Sequence, residues 1–365
     1  MKSEETIKTS TQTILVTGGA GFIGTNFIRH TLNKHPNWRI VNLDAVTYAG
    51  NPANLADLAE IIPESYHFMH GDISDGQLVE QLFAEEQFDG VIHFAAESHV
   101  DRSIHGPIAF AETNVLGTCR LLSACSKAWE QQSRPPDFRF LNVSTDEVYG
   151  SLGSSGLFVE TTPYDPSSPY SASKAGSDHM VRAWYRTYGL PNIITNCSNN
   201  YGPYQFPEKL LPLMIINIFE SKALPVYGDG KNVRDWLYVI DHCEVLLTAF
   251  NKGIPGETYN IGGGAERQNI EVIHTLCDLL DECLKLNARN SSSNLIQFVK
   301  DRPGHDRRYA IDAGKIHKEL GWKPRFDFDT ALAATVDWYL DHKDWINYVR
   351  SGEYQKWMDT NYKER

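Results

Sequence analysis

Three glycines, each separated by two residues, most strongly limit how this chain folds. Gly18, Gly21 and Gly24 lie between the apolar run 13–16 and an amphipathic segment. A strand, such a turn and a helix are typical of a parallel sheet whose backbone approaches a diphosphate at the helix N-terminus. Asp44 ends the next apolar run, where a carboxylate accepts hydrogen bonds from a ribose diol and repels a 2′-phosphate. The pattern predicts a dinucleotide site that favours NAD over NADP, although Asp44 alone is also consistent with a loop cap.

Short apolar runs recur along the first half of the chain, with segments of helix length between them. They cover residues 39–43, 66–72, 90–96, 139–144 and 192–196. This alternation indicates an α/β fold with a Rossmann-type, doubly wound parallel sheet. From about Cys197 the pieces become shorter and rich in Pro, Gly and Tyr, which is typical of a smaller α/β lobe.

We therefore predict two domains. Residues 12–196 form the NAD-binding domain and carry the catalytic residues, and residues 197–365 form mainly a substrate-binding lobe, with segments that can return to the main sheet. Residues 1–11 are predicted to be disordered, and residues 288–294 to form a loop.

Charge and cysteine usage exclude several classes of protein. A formal net charge of -12 argues against a general nucleic-acid or anionic-membrane surface. The 6 cysteines show no CxxC pair and no Cys/His metal spacing, so we expect buried, reduced thiols and no metal site. No signal-like N-terminus and no stretch long enough to span a bilayer is found, so we expect a cytoplasmic protein.

Tyr170 and Lys174 are four residues apart on a predicted helix and therefore share one face. Ser167 or Ser168 is the expected N-cap, and Gly189 lies just past the expected end. A nearby ammonium stabilises a phenolate, so we expect the pKa of Tyr170 to fall from about 10. Beside a dinucleotide, this pair is typical of an oxidoreductase; alone, it is more typical of an exposed helix pair.

Thr145, Asp146 and Glu147 directly follow a predicted strand, at the edge where open parallel sheets bind their ligands. If the chain turns there, both carboxylates face one substrate, and their repulsion leaves one protonated and the other ionised. An acidic loop or a helix N-cap is the alternative interpretation.

Seven segments closely resemble the nucleotide-sugar 4,6-dehydratases of the extended short-chain dehydrogenase/reductase family, and the resemblance runs from about residue 13 to near the C-terminus. They are residues 16–24, 95–103, 144–150, 168–175, 199–207, 232–239 and 301–309. Ser-Thr-Asp-Glu-Val-Tyr-Gly at 144–150 is the most specific segment. The resemblance implies an NAD-dependent lyase that converts dTDP-glucose to dTDP-4-keto-6-deoxyglucose, a step of deoxysugar biosynthesis.

The resemblance also implies a role for each catalytic residue. Tyr170, assisted by Lys174 and Thr145, takes the C4 hydroxyl proton while hydride passes to NAD. Glu147 removes the C5 proton, and Asp146 protonates the departing C6 hydroxyl. Hydride then returns to C6 and C5 is reprotonated, so the net reaction is loss of water.

The same resemblance supplies the expected binding residues. Those for NAD are Gly18, Gly21, Phe22, Ile23, Gly24, Asp44, Asp72, Ile73, Ala95, Ala96, Ser98, Thr113, Tyr170, Lys174 and Asn200. Those for the substrate are Ser98, Thr145, Asn199, Lys209, Leu210, Pro225, Tyr227, Arg234, Asn269, Arg302 and His305, among which Lys209, Arg234, Arg302 and His305 are the expected cations for the diphosphate.

Three alternatives stay open. A UDP-glucose 4,6-dehydratase would use the same chemistry on another base. A UDP-sugar 4-epimerase or decarboxylase would share the Tyr-Lys pair but has no need of Asp146 and Glu147. A non-enzymatic NAD-sensing protein would bind the cofactor without turnover. The resemblance further implies a homodimer, formed through helices near 103–131 and 169–188.

Overall fold

The computed structural model describes residues 11–350, and its strands alternate with helices through the first half of the chain. In chain order the strands are β1 (Thr13–Thr17), β2 (Arg39–Asp44), β3 (Tyr66–His70), β4 (Gly90–His93), β5 (Arg139–Thr145), β6 (Asn192–Cys197), β7 (Asn199–Tyr201), β8 (Leu224–Tyr227), β9 (Val233–Tyr238), β10 (Thr258–Ile261), β11 (Glu266–Gln268) and β12 (Ile296–Val299). Almost all of the predicted disordered segment 1–11 lies outside the described residues.

The α-helices, in the same order, are α1 (Phe22–Lys34), α2 (Ala56–Ile61), α3 (Gly76–Glu85), α4 (Val100–His105), α5 (Pro107–Phe110), α6 (Thr118–Gln131), α7 (Pro169–Tyr188), α8 (Leu210–Phe219), α9 (Val239–Lys252), α10 (Asn269–Leu284), α11 (Gly314–Leu320), α12 (Phe328–Asp341) and α13 (Lys343–Val349). A π-helical segment, Ala111–Gly117, joins α5 to α6. Two short 3₁₀ turns occupy most of the predicted loop at 288–294.

The main sheet has seven parallel strands in the order β10-β6-β5-β4-β1-β2-β3. Two apolar clusters, which contain Ile14 and Leu15 respectively, cover its two faces because successive strand residues point to opposite sides. The predicted α/β class is therefore confirmed. Strands β3 and β4 end earlier than predicted, at His70 and His93, because the chain leaves the sheet there to border an open cleft.

Strand β10 comes from the second half of the chain, yet it pairs with β6 and forms one edge of the main sheet. Helix α9 packs on α1, and its residues belong to the same apolar cluster as the sheet. The chain thus returns to the sheet well after Asn196. The other strands beyond this point form two small sheets, β11-β9-β7 and β12-β8, beside a third core built on α8, α10 and α12.

The cysteines are only partly as expected. Cys125, Cys197, Cys243 and Cys277 are buried, and no cysteine forms a disulfide. The expectation is wrong for Cys283, which is exposed, since the buried residues of α10 end at Leu280 and its last turn extends beyond the core. Cys119 is half-buried.

Candidate active site

A deep cleft runs along the carboxyl ends of β1, β2, β4, β5 and β6. Of the predicted site residues, twenty line it: Gly18, Gly21, Phe22, Ile23, Gly24, Asp44, Asp72, Ile73, Ala95, Ala96, Ser98, Thr113, Thr145, Asp146, Glu147, Tyr170, Lys174, Asn199, Asn200 and Lys209. The glycine turn, the two adjacent carboxylates and the Tyr-Lys pair thus border one space.

The glycine turn leaves no room for side chains on the protein side. Gly18 has a φ of +72°, and a Cβ there would lie 2.5 Å from the backbone nitrogen of Ala95. A Cβ on Gly24 would lie 2.4 Å from the carbonyl oxygen of Gly18. Gly21 borders the cleft and is the N-cap of α1, where no side chain caps the free N–H groups. Backbone donors at the start of a long helix suit the diphosphate of a dinucleotide.

Asp44 orders this turn as well as bordering the cleft. Its Oδ2 accepts a hydrogen bond from Ala20 N at 2.9 Å, and its Oδ1 accepts one from Val46 N at 2.8 Å. Burial raises the pKa of Asp44, and the two backbone donors oppose that rise. The residues of this end of the cleft fit the phosphates and ribose of NAD, and the carboxylate would repel a 2′-phosphate.

The chain turns directly after β5. Thr145 is the N-cap of a 3₁₀ turn, Asp146–Tyr149, and its Oγ1 accepts a hydrogen bond from Glu147 N at 3.2 Å. In a continued strand the two carboxylates would point to opposite faces; in this turn both border the cleft. The N-cap interpretation and the paired-carboxylate interpretation therefore both describe this segment.

Different surroundings distinguish the two carboxylates. Burial raises the pKa of Asp146 well above its usual value, and the charges of Glu147 and Asp235 add to the rise. Asp146 Oδ2 is buried and has no hydrogen-bond partner among the described residues. Burial and the two negative neighbours both favour the protonated form of Asp146.

Glu147 lies among cations. Burial raises its pKa, and the charges of Arg302, Arg234 and Lys209 oppose the rise. Three positive neighbours favour the ionised form. The two adjacent carboxyl groups therefore differ: burial and negative neighbours favour the proton on Asp146, whereas three cations favour ionisation of Glu147 against the effect of burial. General acid and base catalysis uses such a difference.

Tyr170 and Lys174 lie on α7, whose N-terminus is fixed by a capping box between Ser168 and Ser171. Lys174 Nζ donates a hydrogen bond to the carbonyl oxygen of Val143 at 2.8 Å. The expected fall in the pKa of Tyr170 is wrong for the protein alone. Burial raises this pKa well above its usual value and Glu147 adds to the rise, because the ring is closed off beside a carboxylate.

Seven predicted substrate residues lie outside the lining of the cleft: Leu210, Pro225, Tyr227, Arg234, Asn269, Arg302 and His305. Three of them lie close together: Tyr227 and Arg302 are beside Asp101 of α4, and His305 is beside Tyr227. Tyr227 donates a hydrogen bond to Asp101 Oδ2 at 3.2 Å, and Arg302 Nη1 lies 3.7 Å from Asp101 Oδ1. The His305 ring lies 6.1 Å from that of Tyr227.

The charge expected on His305 is wrong. Burial lowers the pKa of His305 to about 4, and Arg302 and Arg234 lower it further, although Asp301 accepts a hydrogen bond from it at 2.6 Å. At neutral pH the imidazole is neutral and can only donate or accept a hydrogen bond. Arg234 is 4% exposed, with its guanidinium 4.2 Å from the centre of the Tyr309 ring.

The sequence patterns missed part of the cleft. Its further lining residues are Leu43, Ala45, Thr47, Ala49, Gly50, Gly71, Phe94, Glu97, Val143, Ser144, Cys197, Ser198, Gln205, Phe206 and Glu208. Most of them lie at or just after the predicted strand ends, so the positions of those ends could have identified them. Glu208 is the main addition, because this buried carboxylate accepts a hydrogen bond from Arg102 Nε at 3.1 Å.

Within residues 11–350, no three His, Cys, Asp or Glu side chains are arranged to hold a metal ion. Over the same range, no helix has the length and hydropathy needed to cross a membrane.

Comparison with known proteins gives consistent results. The family profile described as GDP-mannose 4,6 dehydratase matches residues 15–335. The dTDP-glucose 4,6-dehydratase of Shigella flexneri is 55% identical over 363 residues, covering 96% of this chain and 99% of that protein.

Two solved structures are similar over almost the whole chain. The dTDP-glucose 4,6-dehydratase of Streptomyces venezuelae, solved with bound NAD, has a TM-score of 0.84 at 46% identity, covering 92% of this chain and 99% of that one. The enzyme of that name from Bacillus anthracis, in complex with NAD, has a TM-score of 0.82 at 44% identity, covering 93% and 100%.

Proposed function

The chain belongs to the dTDP-glucose 4,6-dehydratases of the extended short-chain dehydrogenase/reductase family, and on that premise we propose how its cleft performs the reaction. It is an NAD-dependent hydro-lyase that converts dTDP-glucose to dTDP-4-keto-6-deoxyglucose. The observation that carries the mechanism is the placement of two adjacent carboxyl groups, Asp146 and Glu147, in the same cleft as Tyr170 and Lys174.

The glycine turn and Asp44 would hold the cofactor, with the diphosphate against the N-terminus of α1 and the ribose hydroxyls on the carboxylate. When bound, NAD supplies the hydride acceptor for C4 and the hydride donor for C6. Asp72, Ala95 and Thr113 are proposed to border it as lining residues.

Tyr170 is proposed to accept the proton of the C4 hydroxyl. Lys174 is buried beside it on α7, and the Thr145 hydroxyl lowers the pKa of Tyr170 against the larger effect of burial. Because Tyr170 holds its proton tightly in the protein alone, it needs a further positive charge to become a base, and the oxidised cofactor carries one.

Glu147 and Asp146 then remove water. The C4 ketone acidifies the C5 proton, which Glu147 removes as an ionised base. Asp146 gives its proton to the C6 hydroxyl as that group departs. The resulting C5=C6 double bond then takes up hydride at C6 and a proton at C5, which gives the 4-keto-6-deoxy product. A positioned acid or base typically contributes a factor of about 10² to 10⁴ in rate.

The substrate diphosphate is proposed to bind Arg234, Arg302 and Lys209, whose charges act together on Glu147. Arginine suits this role because its planar fork donates two hydrogen bonds to one phosphate. His305, being neutral at pH 7, would add a hydrogen bond rather than a charge. Asn199 and Ser98 border the cleft beside the catalytic groups and are proposed sugar contacts.

Two alternatives differ in measurable ways. A 4-epimerase would leave Asp146 and Glu147 without a chemical role. A UDP-glucose dehydratase would prefer uracil, so the two nucleotides must be compared directly.

The decisive experiment uses dTDP-glucose and UDP-glucose, each deuterated at C4. We expect water loss from dTDP-glucose, with deuterium at C6 of a 4-keto-6-deoxy product. A C4 epimer without water loss would contradict the dehydratase, and faster turnover of UDP-glucose would contradict the thymidine preference. NAD binding without any turnover would favour a sensing protein.

We also propose a homodimer built on the segment around α6 and on α7. Ile108 and Leu116 are 69% and 50% exposed, and Tyr185 and Tyr188 on α7 are 39% and 50% exposed. Ile108 lies on α5 and Leu116 on the π-helical segment 111–117, and both of these elements pack on α7. We expect Ile108→Asp with Leu116→Asp to yield monomers in sedimentation, whereas Ile61→Asp, 74% exposed on α2, leaves the mass unchanged.

A cytoplasmic location is proposed on the chemistry of the thiols. All cysteines are free, and Cys197 and Cys243 are buried, which suits a reducing compartment. Cell fractionation tests this proposal.

A further inference from the structure

A buried carboxylate lies one helical turn beyond Lys174 and takes no part in the steps above. Asp178 is on α7, four residues after Lys174, so the two side chains share one face of the helix. Asp178 is 0% exposed. Burying an ionised carboxylate is costly unless it is paired and hydrogen-bonded, so its surroundings must compensate for the lost water.

Three donors surround the Asp178 carboxylate. Asn142 Nδ2 donates to Oδ1 at 2.8 Å. The hydroxyls of Ser144 and Tyr164 donate to Oδ2 at 2.8 and 2.9 Å. Asn142 and Ser144 lie on β5, which ends at Thr145, so Asp178 joins the strand that positions the acid-base pair to the helix that carries Tyr170.

Lys174 is buried as well, and among residues 11–350 its direct hydrogen-bond partner is neutral, the carbonyl oxygen of Val143. Burial lowers the pKa of Lys174, and the groups that oppose this are Asp178 first and Cys197 second. His93 faces Lys174 from β4, but burial lowers its pKa to about 3, so it brings no second cation.

The other charged groups near Asp178 lie further along α7. Arg182 Nη2 donates to the Tyr164 hydroxyl at 2.7 Å, and that hydroxyl in turn donates to Asp178. The ring of His179 lies 5.4 Å from the ring of Tyr164. Burial raises the pKa of Asp178, and the charges of Lys174 and Arg182 oppose the rise.

We propose that Asp178 is a positioning residue for the reaction. It is the counter-charge that keeps Lys174 an ammonium in a closed interior, and it fixes the end of β5 against α7. This inference rests on the roles proposed for Tyr170 and Lys174.

The test is Asp178→Asn in the full-length, NAD-loaded protein. This variant is expected to fold, because Asn142 Oδ1 is buried with no partner among the described residues. A half-turn of the Asn142 amide lets that oxygen accept a hydrogen bond from the new amide at 178. The matched control is Asp241→Asn, a 1% exposed carboxylate on α9 that accepts hydrogen bonds from Arg325 N and Phe326 N.

We expect the alkaline limb of the kcat profile to move down by about one pH unit or more in Asp178→Asn, since an opposite charge raises a lysine pKa by that order. Activity would be lost first at high pH and retained best at low pH. A second readout is the NMR titration of ¹³Cε-labelled Lys174, assigned with Lys174→Arg, which should move in the same direction. Asp241→Asn should move neither.

The inference would be overturned if the alkaline limb of the kcat profile were the same in Asp178→Asn as in the wild type, or if kcat fell equally at every pH. An unmoved Lys174 titration would do the same. If the wild-type chain lacks dehydratase activity, the proposed function fails, while the NMR titration still tests the link between Asp178 and Lys174.

Discussion

The hydroxyl of Thr145 accepts a hydrogen bond from the backbone N–H of Glu147 at 3.2 Å, and this contact begins the turn after β5. After Thr145 the chain forms a 3₁₀ turn instead of continuing as a strand. As a result Asp146, 1% exposed, and Glu147 border the same cleft although they are adjacent in sequence. The proposed roles of Asp146 as acid and Glu147 as base can be tested separately.

Exchange at C5 should separate the roles of the two carboxylates. In Asp146→Asn, Glu147 still removes the C5 proton, so the bound sugar should exchange deuterium from D₂O at C5 while dehydration slows by about 10² to 10⁴. In Glu147→Gln, both exchange and dehydration should stop. Both variants should still form NADH, which absorbance detects. Exchange in Glu147→Gln without exchange in Asp146→Asn would reverse the assignment.

Asp146→Asn should also stabilise the protein at neutral pH. Because burial raises the pKa of Asp146, the folded state keeps a proton that the unfolded state releases, so the wild type loses stability as pH rises above the unfolded value near 4. Asn carries no such cost. The advantage of the variant should grow by up to about 1.4 kcal/mol per pH unit as the pH rises from about 4 toward the raised pKa of the folded state. Denaturant unfolding at each pH measures it, and a constant difference would contradict the raised pKa.

Cofactor loading should lower the pKa of Tyr170. In the protein alone, burial and Glu147 hold this pKa well above its usual value. The positive nicotinamide favours the phenolate, so the tyrosinate absorbance of the wild type minus that of Tyr170→Phe should appear at lower pH with NAD. Identical titrations with and without NAD would show that Tyr170 is not the group beside the nicotinamide.

The glycine turn separates a folding effect from a binding effect. Gly18→Ala places a Cβ against Ala95 N at a φ of +72°, and should cost about 2 kcal/mol or more of unfolding free energy. In Gly21→Ala the nearest atom to the new Cβ is Gly18 O at 3.3 Å, so the fold should persist. NAD affinity should nevertheless fall about tenfold or more, since the methyl group occupies the cofactor side. Calorimetry and thermal unfolding distinguish the two, and unchanged affinity in Gly21→Ala would place the diphosphate elsewhere.

Local patterns were enough to predict the strands of the first half, the turn at Gly18 and the cap of α7. Ser168, one of the two expected residues, is the N-cap, and its hydroxyl accepts a hydrogen bond from Ser171 N. These features depend on neighbours in the chain, and the sequence lists those neighbours directly.

The electrostatics of the site depend on neighbours that are remote in the chain. His305 was expected to be a cation, yet burial beside Arg234 and Arg302 leaves it neutral. Tyr170 was expected to have a lowered pKa, yet Glu147 and burial raise it. The spacing shows that Lys174 is four residues from Tyr170. It does not show that the fold buries both side chains, and burial is the largest influence on both pKa values.

Strand β10 has a consequence for how the protein is made. The edge of β6 stays unpaired until residues 258–261 are synthesised, because no earlier strand occupies that side. A nascent chain that has emerged only to about Asn200 thus presents the backbone donors and acceptors of β6, an edge open to pairing with other chains. Completion of the cofactor-binding sheet therefore has to wait until the chain has been made past Ile261, well into its second half.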